Sequence, residues 1–412
     1  MLKNGSIWLF LIYSLFFIGC KEKPIPSPAP VQQELNAIVW QYKLNDVGTS
    51  CTNNFIYKNM IIQGYEGLDD KLQFMALTLD SGKLVWKSEI FPFHVPFNPE
   101  ESHVVNNLLI FSKGGRNNVI DMENGTTLWK NHIPYASSRI SIIDNKIYKG
   151  AGLSNQTLYQ LDLYTGEIKT IFTLKTADMD GFGPNYTAPA KWIHPNGDVI
   201  LLMGNRSYNP SCQPTCDRYD YLAYNLTADS MFWYIKGELN KRGSKATPLI
   251  LDNKVVFFEE RKVRCLNPLN GDLIWEHSRV PQDNISTYAM SNIAKWNNII
   301  IAKPDYLYLY GLDVNTGQQL WMNSRSSASV GAVQVSMDKI WYCSAGLYCF
   351  DALTGKTLIN GWRYKKAGSY SSPVAVDEKT GLVYTVANGN ALLCLDPKLM
   401  MLDKKNQTVD ER

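Results

Sequence analysis

A short pattern recurs along this chain and limits what it can become. An apolar residue and a polar one precede a tight turn ending in Gly, and a Trp follows four residues later. Leu266-Asn267-Pro268-Leu269-Asn270-Gly271 with Trp275 is one copy; Leu312-Asp313 with Gly317 and Trp321, Ile120-Asp121 with Gly125 and Trp129, and Leu77-Thr78 with Gly82 and Trp86 are others. Weaker copies are Leu161-Asp162 with Gly166, Tyr224-Asn225 with Asp229 and Trp233, Phe350-Asp351 with Gly355, and Leu395-Asp396, which brings the set to eight. The Gly supplies the positive φ such a turn needs, and the Trp falls in the strand that follows. The copies recur about every 40 residues, with one longer interval between Asp162 and Asn225. Around Gly271 four β-rich runs are separated by turn residues: Ala246 to Leu251, Lys254 to Phe258, Val263 to Leu266, and Leu273 to Trp275. Four short strands per repeat of that length predict an all-β fold, an eight-bladed propeller of four-stranded antiparallel blades spanning 37–398. A solenoid would need a helix or a much shorter period.

The last copy has three strands, ending at Leu395-Asp396-Pro397, with neither Gly nor Trp after it. Ala37 to Leu44, with Trp40, is an outer strand with none before it. Pairing the two closes the ring and removes both open edges. Trp86, Trp129, Trp233, Trp275 and Trp321 share a register, Trp40 fills the same role at closure, and all are expected to pack between neighbouring blades. The slot before each apolar–polar pair holds small or apolar residues such as Ala76, Val119 and Gly311, so Cys265, Cys349 and Cys394 read there as small hydrophobes. Residues 399–412 are expected to form a flexible tail.

The chain is 45% hydrophobic and 19% charged with a net charge of +3. That suits a large packed core and gives no reason to expect nucleic acid or an anionic membrane surface as a partner. Residues 1–19 read as a targeting signal. Lys3 is followed by an apolar run from Ile7 to Ile18, too short to span a bilayer. The run ends in Phe17-Ile18-Gly19-Cys20, which resembles a bacterial lipobox with Cys20 as the lipidated residue, although Phe17 stands where Leu is usual. A plain secretory leader that happens to contain a Cys is the alternative. Residues 20–36 then form a Pro-rich tether, which would reach ~50 Å in the polyproline form at ~3.1 Å per residue. Lys21 points away from retention at an inner membrane, so the expected location is the cell envelope, lipid-anchored at the outer membrane and facing the periplasm.

Eight Cys fit an oxidising compartment, and lipidation of Cys20 leaves an odd number. Cys212 and Cys216 in Cys212-Gln213-Pro214-Thr215-Cys216 are the candidate disulfide. A metal pair is the rival there, but no further Cys or His lies nearby to complete a tetrahedral site.

The Leu-Asp-x-x-Thr-Gly-x-x-x-Trp pattern resembles the repeat of the quinoprotein-type (PQQ-like) propellers over residues 37 to about 398. Within that group, a lone propeller on a lipoprotein anchor is similar to the propeller lipoproteins of the outer-membrane β-barrel assembly machinery. The architecture serves enzymes and scaffolds alike. The resemblance implies PQQ and Ca²⁺ in the central funnel for the dehydrogenases, typically beneath a pair of adjacent Cys. This sequence has no adjacent Cys pair and its blades carry little extra, so neither a cofactor nor dehydrogenase activity is expected.

No other chemistry stands out, and no catalytic residue is assigned. The His residues at 94, 103, 132, 194 and 277 lack metal-ligand spacing. Gly150-Ala151-Gly152 has Asn155 where a dinucleotide fingerprint needs its third Gly, and no helix follows. Asp178-Met179-Asp180-Gly181 has Pro189 where a calcium loop needs its Glu. No Gly-x-Ser-x-Gly elbow is present.

Loop placement says more. In an antiparallel blade the first-to-second and third-to-fourth turns share one face, and the second-to-third loops and inter-blade links share the other. The short Gly turns belong to the first face. The long connections, Tyr65 to Lys71, Phe91 to Glu100, Lys175 to Tyr186 and Gly204 to Asp220, belong to the second. They carry Tyr65, Phe93, Phe97, Tyr186, Arg206, Tyr208, Arg218 and Tyr219, the residue types that anchor interfaces. Tolerated insertions are the plainer alternative. Gly204 to Asp220 accounts for the long interval and is expected to be a loop stiffened by Pro210, Pro214 and the disulfide. The function expected from the sequence is non-enzymatic: a monomeric binding or scaffold lipoprotein offering this face to an envelope protein partner, by resemblance the barrel-assembly machinery. A quinone-dependent dehydrogenase or glycan-acting enzyme with its site in the funnel is the alternative.

Overall fold

The polar residue of each repeat is a turn cap. Asp162 Oδ1 accepts from the backbone N–H groups of Tyr164 and Thr165, both at 3.0 Å, and Asp313 Oδ1 from those of Asn315 and Thr316, both at 2.9 Å. Asn225, Asn267 and Asp351 do the same in their blades. Such side-chain-capped turns fold the third strand back into the fourth and make the repeated hairpin local and self-sufficient.

The computed structural model describes residues 36–407 apart from 45–46, 68–70, 93–100, 135, 137–138, 151–156, 175–185, 210–215, 240–242, 244–245, 260–261, 279–292, 304–307, 325–331, 344–345, 364–372 and 388–390, and apart from the side chains of 47–51, 67 and 208. Among these residues the strands form eight four-stranded antiparallel sheets, the blades of a β-propeller. Blade 1 spans 47–91, blade 2 102–132, blade 3 141–173, blade 4 190–235, blade 5 249–278, blade 6 294–323 and blade 7 334–362. Blade 8 takes three strands from 375–395, and its outer strand is Ile38–Lys43, which pairs with Ala391–Leu395. None of the described helices is long and apolar enough to cross a membrane.

The apolar core is not a single mass. Among the described residues it divides into eight large buried clusters, each drawing side chains from two neighbouring blades, and a small one at Cys216. The repeat Trp residues build the outer part of these junctions. Trp86 lies across from Ala76, Trp129 from Val119, Trp275 from Cys265 and Trp321 from Gly311, so a small or modest residue in the third strand leaves room for the indole in the fourth. Trp40 faces Cys394 in the same register. The residue before each of these Trp is a bulge that shifts the pairing. A bulge sharpens the local twist, which aims the Trp at the next blade.

What the Trp meets there is the turn Gly. Gly317 has φ +69°, and a Cβ on it would sit 2.4 Å from Trp275. Gly82, Gly125, Gly166 and Gly355 stand in the same relation to Trp40, Trp86, Trp129 and Trp321. The indole N–H then donates to a carbonyl of the same turn: Trp40 to Leu79 at 2.7 Å, Trp86 to Met122 at 3.0 Å, Trp129 to Leu163 at 2.9 Å and Trp233 to Pro268 at 2.9 Å. The exceptions obey the same rule. Blade 3 has Thr170 at the Trp position, and the turn of blade 4 has Asp229 in place of Gly; blade 7 has Ile359, and blade 8 leads into a helix. A turn that receives no indole does not need a Gly.

That helix corrects the expected flexible tail. Residues Pro397–Leu402 form it, capped by Asp396, and a 3₁₀ turn Lys404–Asn406 follows. Trp362 Nε1 donates to Asp403 Oδ2 at 2.9 Å, and the Arg363 N–H donates to the Asn406 carbonyl, also at 2.9 Å. The segment through Gln407 therefore packs on the outer strand of blade 7.

Candidate functional site

Two places can carry function in a propeller, the central funnel and a loop face. The funnel holds a cavity of about 680 Å³ against the first strands of blades 2 to 5 and Ile293, just ahead of blade 6. Its wall is mostly Ile, Leu and Pro, with His103, Ser141 and Thr247 as polar points and Asp144 and Lys191 as its charges. Those two charges pair with each other. Among the described residues no three His, Cys, Asp or Glu side chains gather where they could hold a metal ion. A metal-held quinone needs several oxygen donors for the cation and positive partners for its carboxylates. One Asp bound to one Lys does not fit that group, so no chemistry is routed through it.

The long-loop face differs from its sequence reading at blade 4. Gly204 to Asp220 is not a loop: the second strand runs Val199–Asn209 and the third Cys216–Asn225, a long hairpin in register to its tip. Arg218 and Asp220, both buried, form an ion pair at 2.7 Å. Asp220 also accepts from Tyr234 Oη at 2.6 Å, from Ser207 Oγ at 3.3 Å and from the Gly237 N–H at 3.0 Å. Burial raises the Tyr234 hydroxyl pKa, and the Asp220 carboxylate raises it further. On the other side of the hairpin Tyr219 is enclosed by Gly204, Gly237 and Gly243, where a Cβ would come within 2 Å of it at each.

The expected binding residues thus divide. Arg218 and Tyr219 are structural, as are Tyr186, buried against Phe172 at 5.6 Å, and Tyr65, buried with its hydroxyl on Gln73 at 2.6 Å. The physical reason is that strands this long extend beyond the common blade and must bring their own core. Arg206 is half exposed and remains available. Cys216 is disulfide-bonded; Cys212, the expected partner, lies outside the described residues, as do Phe93, Phe97 and Cys20 and the side chain of Tyr208. Cys265, Cys343, Cys349 and Cys394 are free and buried, and burial pushes the Cys265 and Cys343 thiols up to about 12, which makes them inert.

Two buried cations were missed in the sequence. Lys149 is fully buried between blades 2 and 3, donating to Ser112 Oγ and, at 2.7 Å, to Asn117 Oδ1. Lys303 lies over the Tyr342 ring of the next blade, 4.8 Å from its centroid. Burial pulls both down to about 7. A single Lys inside an apolar strand run, as in Ile147-Tyr148-Lys149-Gly150, was the available signal.

Residues 223–409, from the third strand of blade 4 onward, match the family model described as outer membrane protein assembly factor BamB. No curated protein matches the chain in sequence. Among solved structures, BamB from Moraxella catarrhalis aligns with a TM-score of 0.53 at 11% identity over 87% of this chain and 96% of that one. A europium-containing methanol dehydrogenase gives 0.59 at 11% over 84% of each chain, and the computationally designed Ika8 protein 0.61 at 14% over 87% and 99%. At such identities the structures speak for the fold, which a designed protein, an assembly factor and an enzyme share. With its repeat, its eight-bladed ring and this match, the chain is a PQQ-like β-propeller that resembles BamB.

Proposed function

We propose that this chain is a non-enzymatic scaffold of the bacterial cell envelope that presents its long-loop face to a protein partner in outer-membrane protein assembly. The match of blades 4 to 8 to the BamB family carries this reading. A funnel whose described lining does not suit a metal-held quinone supports it over the dehydrogenase alternative. In this reading residues 1–19 are a leader, Cys20 bears the lipid, 20–36 tether the domain beside the outer membrane, and the propeller works as a monomer without a cofactor. Cys20→Ser is then expected to move the protein from the membrane to the soluble periplasmic fraction. The scaffold role is tested by placing a photo-crosslinker at Arg206 in cells. A crosslinked envelope protein, together with a purified protein free of quinone absorbance, is the expected result. A bound quinone, or no crosslinked protein from any position on the long-loop face, overturns it.

A further inference from the structure

We infer that the funnel cavity binds an uncharged, largely apolar small molecule that carries a hydrogen-bonding group and is anchored by Ser141. This goes beyond the scaffold reading and does not depend on it.

Size and lining set the body of the guest. The cavity of about 680 Å³ falls within the range of small-molecule sites, roughly 300–1,000 Å³, and is too small for a folded partner. Its wall is supplied by the ring itself, from blades 2 to 5 and the residue ahead of blade 6, rather than by an insertion in one blade. Ile140, Pro189 and Pro248 are buried there, and Ile142, Leu249 and Ile293 are half-buried. Apolar surface of this kind gains by covering an apolar guest.

The polar part of the wall asks for a hydrogen-bonding group. Ser141–Ile143, Ala190–Ile193 and Leu249–Leu251 are the first strands of blades 3, 4 and 5, and each ends its sheet. Their funnel edges therefore have no partner strand, and such an edge offers backbone groups to whatever lies against it. Ser141 is only 9% exposed, and its Oγ has no hydrogen-bond partner in the protein. A buried hydroxyl left this way is destabilising. A Ser side chain turns about a single bond and its hydroxyl both donates and accepts, so a guest seated on this wall can recruit it.

Charge narrows the class. Asp144 and Lys191 supply the wall's carboxylate and ammonium, and they pair with each other. A charged guest must break that pair or stay uncompensated against apolar side chains, and both are costly. An uncharged guest meets neither cost.

The test titrates the full-length protein with N-phenylnaphthylamine, an uncharged fluorescent amine, and with anilinonaphthalene sulfonate, the same frame bearing an anion. A single saturable site for the uncharged dye is expected. Ser141→Ala should weaken it by about three- to tenfold, the loss of one hydrogen bond. Ile142→Trp and, separately, Ala190→Phe fill the cavity and should abolish binding. Leu273→Ser/Leu320→Ser should leave it intact, since those residues are exposed on outer strands and offer a dye a rival place to stick. Asp144 has φ +49°, which Asn accepts, so Asp144→Asn keeps the turn and frees Lys191. It should tighten the sulfonate by at least about tenfold and leave the uncharged dye unchanged. Thermal melts establish which variants fold, and either cavity-filling variant suffices. Binding of the uncharged dye that survives cavity filling, that is lost in the outer-strand variant, or that ignores Ser141→Ala overturns the inference. So does sulfonate binding indifferent to Asp144→Asn, or no binding at all, which leaves the cavity to water. None of these results alters the Arg206 crosslink, which tests the scaffold reading separately.

Discussion

Trp275 and Gly317 form a contact that neither could make with another side chain in its place. The indole lies where any Cβ on Gly317 would be, and its N–H donates to the Val314 carbonyl at 3.3 Å. Trp275→Ala removes a buried indole and is expected to cost ~3–5 kcal/mol in urea unfolding. Gly317→Ala meets both the indole and a positive φ, so it is destabilising alone; added to Trp275→Ala it should cost less than alone, because one clash has gone. Additive effects would show the two do not touch. Lys149 makes a second residue-scale prediction through pH. Burial lowers its folded-state value from 10.5 to about 7, so between those values the unfolded chain holds a proton the folded chain lacks. The Lys149 contribution to stability then rises as pH increases from about 7, until near 9 the buried Cys265 and Cys343, which keep their protons longer than in the unfolded chain, begin to oppose it. Lys149→Met is expected to flatten part of that rise in melting curves, and Lys303 contributes in the same direction; an unchanged slope would show that Lys149 keeps its proton in the folded chain.

At the scale of the element, the blade 4 hairpin is where the sequence was hardest to read. The eight blades were legible because turn cap, Gly and Trp recur at fixed spacing. The closing strand was legible because one repeat lacked what the N-terminus had to spare. Gly204-Asn205-Arg206-Ser207 looked like loop because polarity usually marks solvent, yet Asn205 and Ser207 point at the buried Asp220 from across the hairpin. A buried polar face reverses the alternation on which strand reading depends. The link between missing Trp in blades 3 and 7 and missing Gly in the turns that follow was in the sequence, but it needs contact between neighbouring blades to be recognised. The corrected hairpin changes what mutation should do. Replacing only Gln213, Pro214 and Thr215 with Gly and Ser, with Cys212 and Cys216 kept, should leave melting nearly unchanged, since loop closure depends weakly on length. Cutting from Ser207 to Arg218 removes part of the buried network and should destabilise the blade. Arg218→Ala strands Asp220 without its cation and is expected to cost ~3–5 kcal/mol in the same unfolding assay.

For the whole molecule, eight clusters shared between neighbours mean that no blade owns its core. Melting is expected to be a single cooperative transition, and removal of Ile38–Lys43 should broaden it and promote association through the bared strand of blade 8. A sharp, monomeric transition after that deletion would show that closure is dispensable. The closing strand also sets a clock. Asn54 of blade 1 and Tyr384 of blade 8, joined by a hydrogen bond, are 330 positions apart, and Ile38–Lys43 waits for a partner translated only after seven other blades. Contacts so distant form slowly. A chain still being made thus carries an early strand with no place to go, and until the eighth blade arrives its survival depends on whatever keeps that strand from other company.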